Sequence, residues 1–200
     1  MRPFQAVAMI AAAIVIVVGS SLLPAPGAAE VENAAAAAPK SGVTVGEMRV
    51  QTIPAMTYLY FPVETSFEKM GEPVVDGFNK VFGAAAESKL LIARPTMITY
   101  EGGPHVNFDA AKLFKAQVGI VVEDGTQAAG EAKVRKIEPF KCATILYTGT
   151  VNEQGKAYEK LIPAMKAAGL VPTGEEREMC LYWEGVESGN NVFFMQVGVK

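Results

Sequence analysis

The chain carries one series of landmarks twice, and this constrains its fold more than any other feature. A repeated unit that cannot bury its apolar face alone must bury it against its copy. The first series opens with Val50-x-x-Ile53-Pro54 and closes with Gln117-Val118-Gly119-Ile120-Val121. The second opens with Val134-x-x-Ile137-x-Pro139 and closes with Gln196-Val197-Gly198-Val199, after a span of nearly equal length.

Between these landmarks each series orders its elements alike. A β-rich stretch comes first, Met56 to Phe61 in one copy and Cys142 to Tyr147 in the other. A helix follows. In the second copy Tyr158, Leu161, Ile162 and Met165 fall at i, i+3, i+4 and i+7, and Gly169 stands where a helix stop is needed. In the first copy Pro73 suits a first helical turn and Val74, Phe78, Val81 and Phe82 supply the stripe. Pro163 interrupts the second helix, which predicts a kink or a later start. Two strands then close each unit, Pro95 to Tyr100 with Leu113 to Val122, and Glu178 to Trp183 with Val192 to Val199. Gly189-Asn190-Asn191 predicts a hairpin turn for the second pair, and the longer Glu101 to Ala110 segment predicts a loop for the first. The expected fold is α+β: two β-α-β-β units, forming either two antiparallel-rich sheets or one continuous curved sheet with two helices, around a central cleft. The first repeat spans about 47–124 and the second about 131–200, so that 47–200 is one domain.

The N-terminus sets the compartment. Residues 1–29 hold a single charge, Arg2, then an apolar run from Ala6 to Val18 and small residues up to Ala29. This is a secretory signal pattern, shorter than the roughly 20 residues that span a bilayer. Gly27 and Ala29 fit the small-residue requirement of a cut before Glu30. The expectation is an exported protein, periplasmic or secreted; the alternative is anchoring by an uncleaved segment, the chain's one expected contact with a membrane. Residues 30–46, EVENAAAAAPKSGVTVG, read as a flexible tether. The full chain has a net charge of −3, and loss of Arg2 makes it −4, which argues against nucleic acid as a partner. Two cysteines, Cys142 and Cys180, are open to pairing in an oxidising compartment or to burial as small hydrophobes.

Catalytic and metal signatures are sparse. The single histidine, His105, leaves no easy Ser-His-Asp or Cys-His arrangement and reads as a solvated loop residue. No phosphate-cradling glycine loop, dinucleotide fingerprint, Cys-x-x-Cys or histidine cluster is present, so no metal or cofactor is expected. The segment Glu178 to Glu184 alternates Glu178, Cys180, Tyr182 and Glu184 on one face with Met179, Leu181 and Trp183 on the other. If the Met179 face packs on the helices, Glu178 points into the cleft, where an unpaired carboxylate is costly unless a cation compensates it. The other reading places Glu178 and Glu184 at the solvated ends of an edge strand, or pairs Glu178 with Arg177.

The series Ile137-Glu-Pro139, Tyr147-Thr-Gly149, Ala157-Tyr158-x-x-Leu161, Gly169-Leu170-x-Pro172, Glu178-x-x-Leu181 and Val197-x-Val199 resembles the second half of the GyrI-like family, the effector-binding domain also found on AraC-type and MerR-type regulators. The resemblance extends over Val50 to Val199 and is clearest in the second copy. It implies two β-α-β-β units around a pocket of aromatic side chains with a central glutamate, here Glu178, that meets cationic, flat or lipophilic ligands. It further implies Tyr182 and Cys180 on the glutamate's face, and Tyr58, Tyr60 and Tyr100 as the first copy's aromatic walls. Cys180 departs from the pattern, which usually has tyrosine there.

The leading expectation is an exported small-molecule-binding protein. No DNA-binding helices precede the domain, so transcriptional regulation is not expected. An alternative from the same resemblance is hydrolysis of electrophilic cyclopropane-bearing molecules with Glu178 as general base. Haem binding, through the related SOUL proteins with His105 as ligand, is the third reading.

Overall fold

The computed structural model describes residues 42–90 and 95–200. The expected signal segment and most of the tether lie outside the described residues. Among the described residues the chain forms nine strands and two α-helices: β1 (Thr44–Val45), β2 (Arg49–Ile53), β3 (Met56–Thr65), α1 (Gly71–Glu87), β4 (Thr96–Glu101), β5 (Phe114–Val122), β6 (Lys133–Ile137), β7 (Phe140–Thr148), α2 (Gly155–Ala167), β8 (Pro172–Tyr182) and β9 (Val192–Val199). All strands join one curled antiparallel sheet in the order β1-β7-β9-β8-β4-β5-β3-β6, with β2 also on β7. This is the expected α+β class in its single-sheet form. The sheet also begins earlier than the tether boundary at 46 suggests, because Thr44 and Val45 pair with Thr148 and Tyr147.

Omitting β1, the strand order reads alike from either end. The centre is the β4·β8 pair, in register from Thr96↔Cys180 to Glu101↔Glu175. The edges are exchanged: β2 precedes β3 in the chain but pairs with β7, while β6 precedes β7 and pairs with β3.

The helix stripes set which face of the sheet is covered. Val74 and Val81 of α1 are buried, as are Tyr158, Leu161 and Met165 of α2. Helix α1 approaches β5 closely at Gly77, where a Cβ would stand 2.2 Å from Val118 Cγ2, so no larger residue fits without displacing the helix or the Val118 side chain. Gly169, at φ 67°, turns the chain after α2. Helix α2 starts at Gly155 and runs through Pro163 rather than starting later. Pro163 and Glu159, whose carbonyl loses its helical partner, are both exposed, which opens that carbonyl to water. The β8–β9 connection is longer than the expected tight turn. It spans residues 183–191, and none of Gly189, Asn190 and Asn191 has positive φ. The Asn191 side chain holds the loop instead: its amide donates to the carbonyls of Gly185 (2.6 Å) and Ser188 (2.9 Å), and its Oδ1 accepts from Glu184 N (2.8 Å).

Candidate ligand-binding site

Strand β8 crosses the middle of the sheet, so both of its faces are enclosed, and alternation divides four consecutive buried residues between them. Glu176 and Glu178 face the helices; Arg177 and Met179 face the helix-free side. This inverts the arrangement in which the Met179 face packs on the helices. Met179 instead joins Tyr58, Met97 and Ile137 on the opposite side.

Glu178 is 8% exposed. Its Oε2 accepts the Tyr100 hydroxyl of β4 at 2.9 Å, and its Oε1 accepts the Tyr158 hydroxyl of α2 at 2.9 Å. One tyrosine comes from the central strand β4 and the other from helix α2, and because β8 pairs with β4 at the middle of the sheet, Glu178 sits on the seam between the two halves. Burial, followed by the charge of Glu178, pushes both phenols well above the usual tyrosine range. They therefore keep their protons at neutral pH and remain donors to the carboxylate.

Glu176 is fully buried and anchors the β4–β5 loop, residues 102–113. Its Oε2 accepts from the backbone N–H of His105 (3.1 Å), and its Oε1 from that of Val106 (3.0 Å). The same Oε2 lies 2.5 Å from His105 Nδ1. The imidazole stacks flat on Tyr158, with centroids 3.8 Å apart and planes 8° from parallel. It meets Tyr100 edge-on at 4.9 Å and Phe67 at 4.7 Å, and its Nε2 is 3.5 Å from Glu178 Oε1. Thus His105, read from the sequence as solvated, is 8% exposed and lies at the centre of the site. The Gly102-Gly103 turn allows this entry: both glycines have positive φ, a backbone conformation that strains any residue with a Cβ.

The other sequence-derived site residues fall elsewhere. Tyr100 reaches Glu178, whereas Tyr58 and Tyr60 lie on the helix-free face because Leu59 and Phe61 take the α1 side of β3. Tyr58 donates to the carbonyls of Met97 (2.6 Å) and Gln117 (2.9 Å), and Tyr60 stacks beside it. Tyr182 lies beyond the irregularity after Cys180, is 51% exposed, and bonds Glu184. Cys180 is half-buried beside the α2 core, and burial pushes its thiol up to about 11. Cys142 is on the opposite face from Cys180, and both thiols are free. Arg177 does not meet Glu178; its guanidinium bonds Glu175 (2.7 Å) and stacks 3.6 Å over Phe140.

Sequence reasoning therefore did not single out Glu176 or Tyr158, and gave His105 a role only as a haem ligand. Glu176 was accessible through alternation, being two residues before Glu178. Tyr158 stands in the apolar stripe of the second helix and in the Ala157-Tyr158-x-x-Leu161 landmark, neither of which marks it as a site residue. A shallow depression walled by Glu101, Pro104, Asn107 and Lys112 lies on the same loop, but neither carboxylate contributes to it.

Chemically, the site is two enclosed carboxylates, three aromatic rings and one imidazole. Among the described residues no lysine or arginine bonds either carboxylate, so the imidazole is their one candidate counter-charge.

Residues 46–197 match the model of the GyrI-like small molecule binding domain. The EcmrR C-terminal domain superposes with a TM-score of 0.60 at 15% identity, over 78% of this chain and 98% of that one. An integron cassette protein from Vibrio cholerae gives 0.55 at 16% identity, over 79% and 99%. The structure of SAV2435 bound to tetraphenylphosphonium gives 0.54 at 10% identity, over 77% and 94%. No curated protein matches the chain significantly.

Proposed function

The chain belongs to the GyrI-like small-molecule-binding family, and from that premise we propose that it is an exported protein that captures a flat, cationic or amphipathic organic molecule at Glu178. The observation that carries this reading is the burial of Glu178 among Tyr100, Tyr158 and the ring of His105. A desolvated carboxylate attracts a cation strongly, and aromatic faces add roughly 0.5–2 kcal/mol. The tetraphenylphosphonium held by SAV2435 supports this ligand chemistry by analogy of fold. The signal pattern of residues 1–29 supports export.

Hydrolysis is less well served by this geometry. Glu178 would have to take a proton from water, yet each of its oxygens already accepts a tyrosine hydroxyl and an imidazole stands beside it. Haem binding needs an open histidine nitrogen, and both nitrogens of His105 face carboxylates.

The binding test follows Trp183 and tyrosine fluorescence of the chain from Glu30 during titration with benzamidine and with tetraphenylphosphonium. At least one probe gives saturable quenching, and Glu178→Gln weakens it about tenfold or more. Equal affinity of the parent and Glu178→Gln for both probes overturns the reading. For export, the mature protein recovered from a secreting bacterial host begins at Glu30; retention of Met1 in the recovered protein overturns cleavage.

A further inference from the structure

The two buried carboxylates on β8 differ in what they hold. Glu176 fixes the loop backbone through the N–H groups of His105 and Val106, and this grip does not depend on the imidazole. Glu178 is held by two hydroxyls, and the imidazole reaches it only at 3.5 Å. The ring of His105 therefore lies between the carboxylates, and the backbone bonds of its loop to Glu176 are separate from those of the ring.

The ring's surroundings define what fits there. The 3.8 Å stack on Tyr158 makes a slot for a planar group. Nδ1 at 2.5 Å from Glu176 and Nε2 at 3.5 Å from Glu178 place a ring nitrogen toward each acid. Tyr100 and Tyr158 spend their protons on Glu178, so neither hydroxyl offers a second donor to a ligand.

We infer that His105 is the specificity-determining residue of this site, an internal occupant whose imidazole fills the place of the ligand's cationic head. The ligand class follows from that place: planar cations with N–H donors on two sides, such as imidazolium, amidinium or guanidinium groups, in preference to quaternary cations that lack N–H. The inference rests on the reading of Glu178 as the ligand's counter-charge. A group lacking N–H leaves Glu176 Oε2 without the side-chain donor it now has, which is unfavourable in an enclosed site.

The single histidine makes the occupant directly observable. Isotope-labelled, tag-free protein gives one pair of ring-nitrogen NMR signals. Benzamidine moves these to the positions of a solvated imidazole, with the same midpoint as the fluorescence change. In His105→Gly the slot is vacated, and added imidazole raises Tm saturably, binding about tenfold or more tighter than to the parent chain. Benzamidine binds His105→Gly about tenfold or more tighter than tetraphenylphosphonium does. His105→Asn serves as the second variant if the glycine chain does not fold, and the NMR arm needs no variant.

Ring signals that stay fixed while benzamidine binds in a Glu178-dependent way overturn the inference and leave the proposed function standing. So does imidazole that stabilises the variant no more than the parent. Tighter binding of tetraphenylphosphonium than of benzamidine overturns the ligand class. Absence of Glu178-dependent binding by either probe, to parent and variant alike, removes the proposed function and the inference with it.

Discussion

Strand β8 serves two interiors with opposite polar accounting. On the helix side Glu176 and Glu178 accept, between them, two backbone N–H groups, two hydroxyls and an imidazole. On the helix-free side Arg177 is 2% exposed and Gln196, its partner on β9, is fully buried, yet Arg177 Nη1 and both amide atoms of Gln196 have no hydrogen-bond partner among the described residues. The two faces differ in origin: a long loop and helix α2 reach the helix side and bring donors to the acids, whereas Arg177 and Gln196 on the helix-free side have only neighbours on the strands themselves, fixed in register. Arg177 pairs with Thr99 on β4 and Gln196 on β9, and burial pushes its guanidinium down while Glu175 opposes that shift. Burial on β8 is thus fully compensated on one face and partly on the other, which suggests where substitutions will hurt.

The sharpest contrast comes from deleting a group on each face. Glu176→Ala strands the N–H groups of His105 and Val106 and loosens the loop, and costs about 3 kcal/mol in urea unfolding. A cost below about 1 kcal/mol shows that the loop is not held there. The next largest effect of a single residue comes at alkaline pH. Burial raises Tyr58, Tyr100 and Tyr158 well above the ordinary tyrosine value of 10.0, so their contribution is complete below about pH 10 and is lost as pH rises from there through the folded values. Each should withdraw about 1.4 kcal/mol per pH unit in that window, and Tyr158→Phe should flatten the dependence by one such increment in unfolding measured from pH 9 to 11.

Smaller still is Arg177→Met. It removes a guanidinium with one unmet nitrogen, leaves Glu175 half-solvated, and stays within about 1 kcal/mol of the parent. A loss as large as that of Glu176→Ala makes the two faces equivalent and ends the comparison. The mildest effect is chemical. With its thiol up at about 11, Cys180 carries little thiolate at pH 8, so thiol reagents label it slowly and faster as pH climbs. Prompt labelling at pH 7 shows that this face opens near Cys180.

Periodicity made the scaffold legible. The stripes of Val74–Val81 and Tyr158–Met165 located both helices, and the alternation from Glu178 placed a carboxylate on a buried strand. Alternation says which residues share a face but not which face the helices cover, and so the direction of Glu178 could not be read from β8 alone. Nor could the role of His105, because its bonds to Glu176 span 71 positions and depend on the path of a loop with no period. The tyrosines at 58, 60 and 100 looked equivalent as strand aromatics. Parity and register, fixed only by pairing, sent one to the site and two away from it.

The exchange of β2 and β6 also sets a timetable. Strand β3 waits for β6, and β2 for β7, which lies some 90 residues further along, as the pairing Arg49↔Thr144 shows. The seam at Thr96↔Cys180 closes only when nearly the whole chain is available. Contacts so distant in sequence make for slow folding. A chain still emerging, or still threaded through a membrane, therefore has no Glu178 site, and any capture of a ligand there waits until the strands from both ends have met.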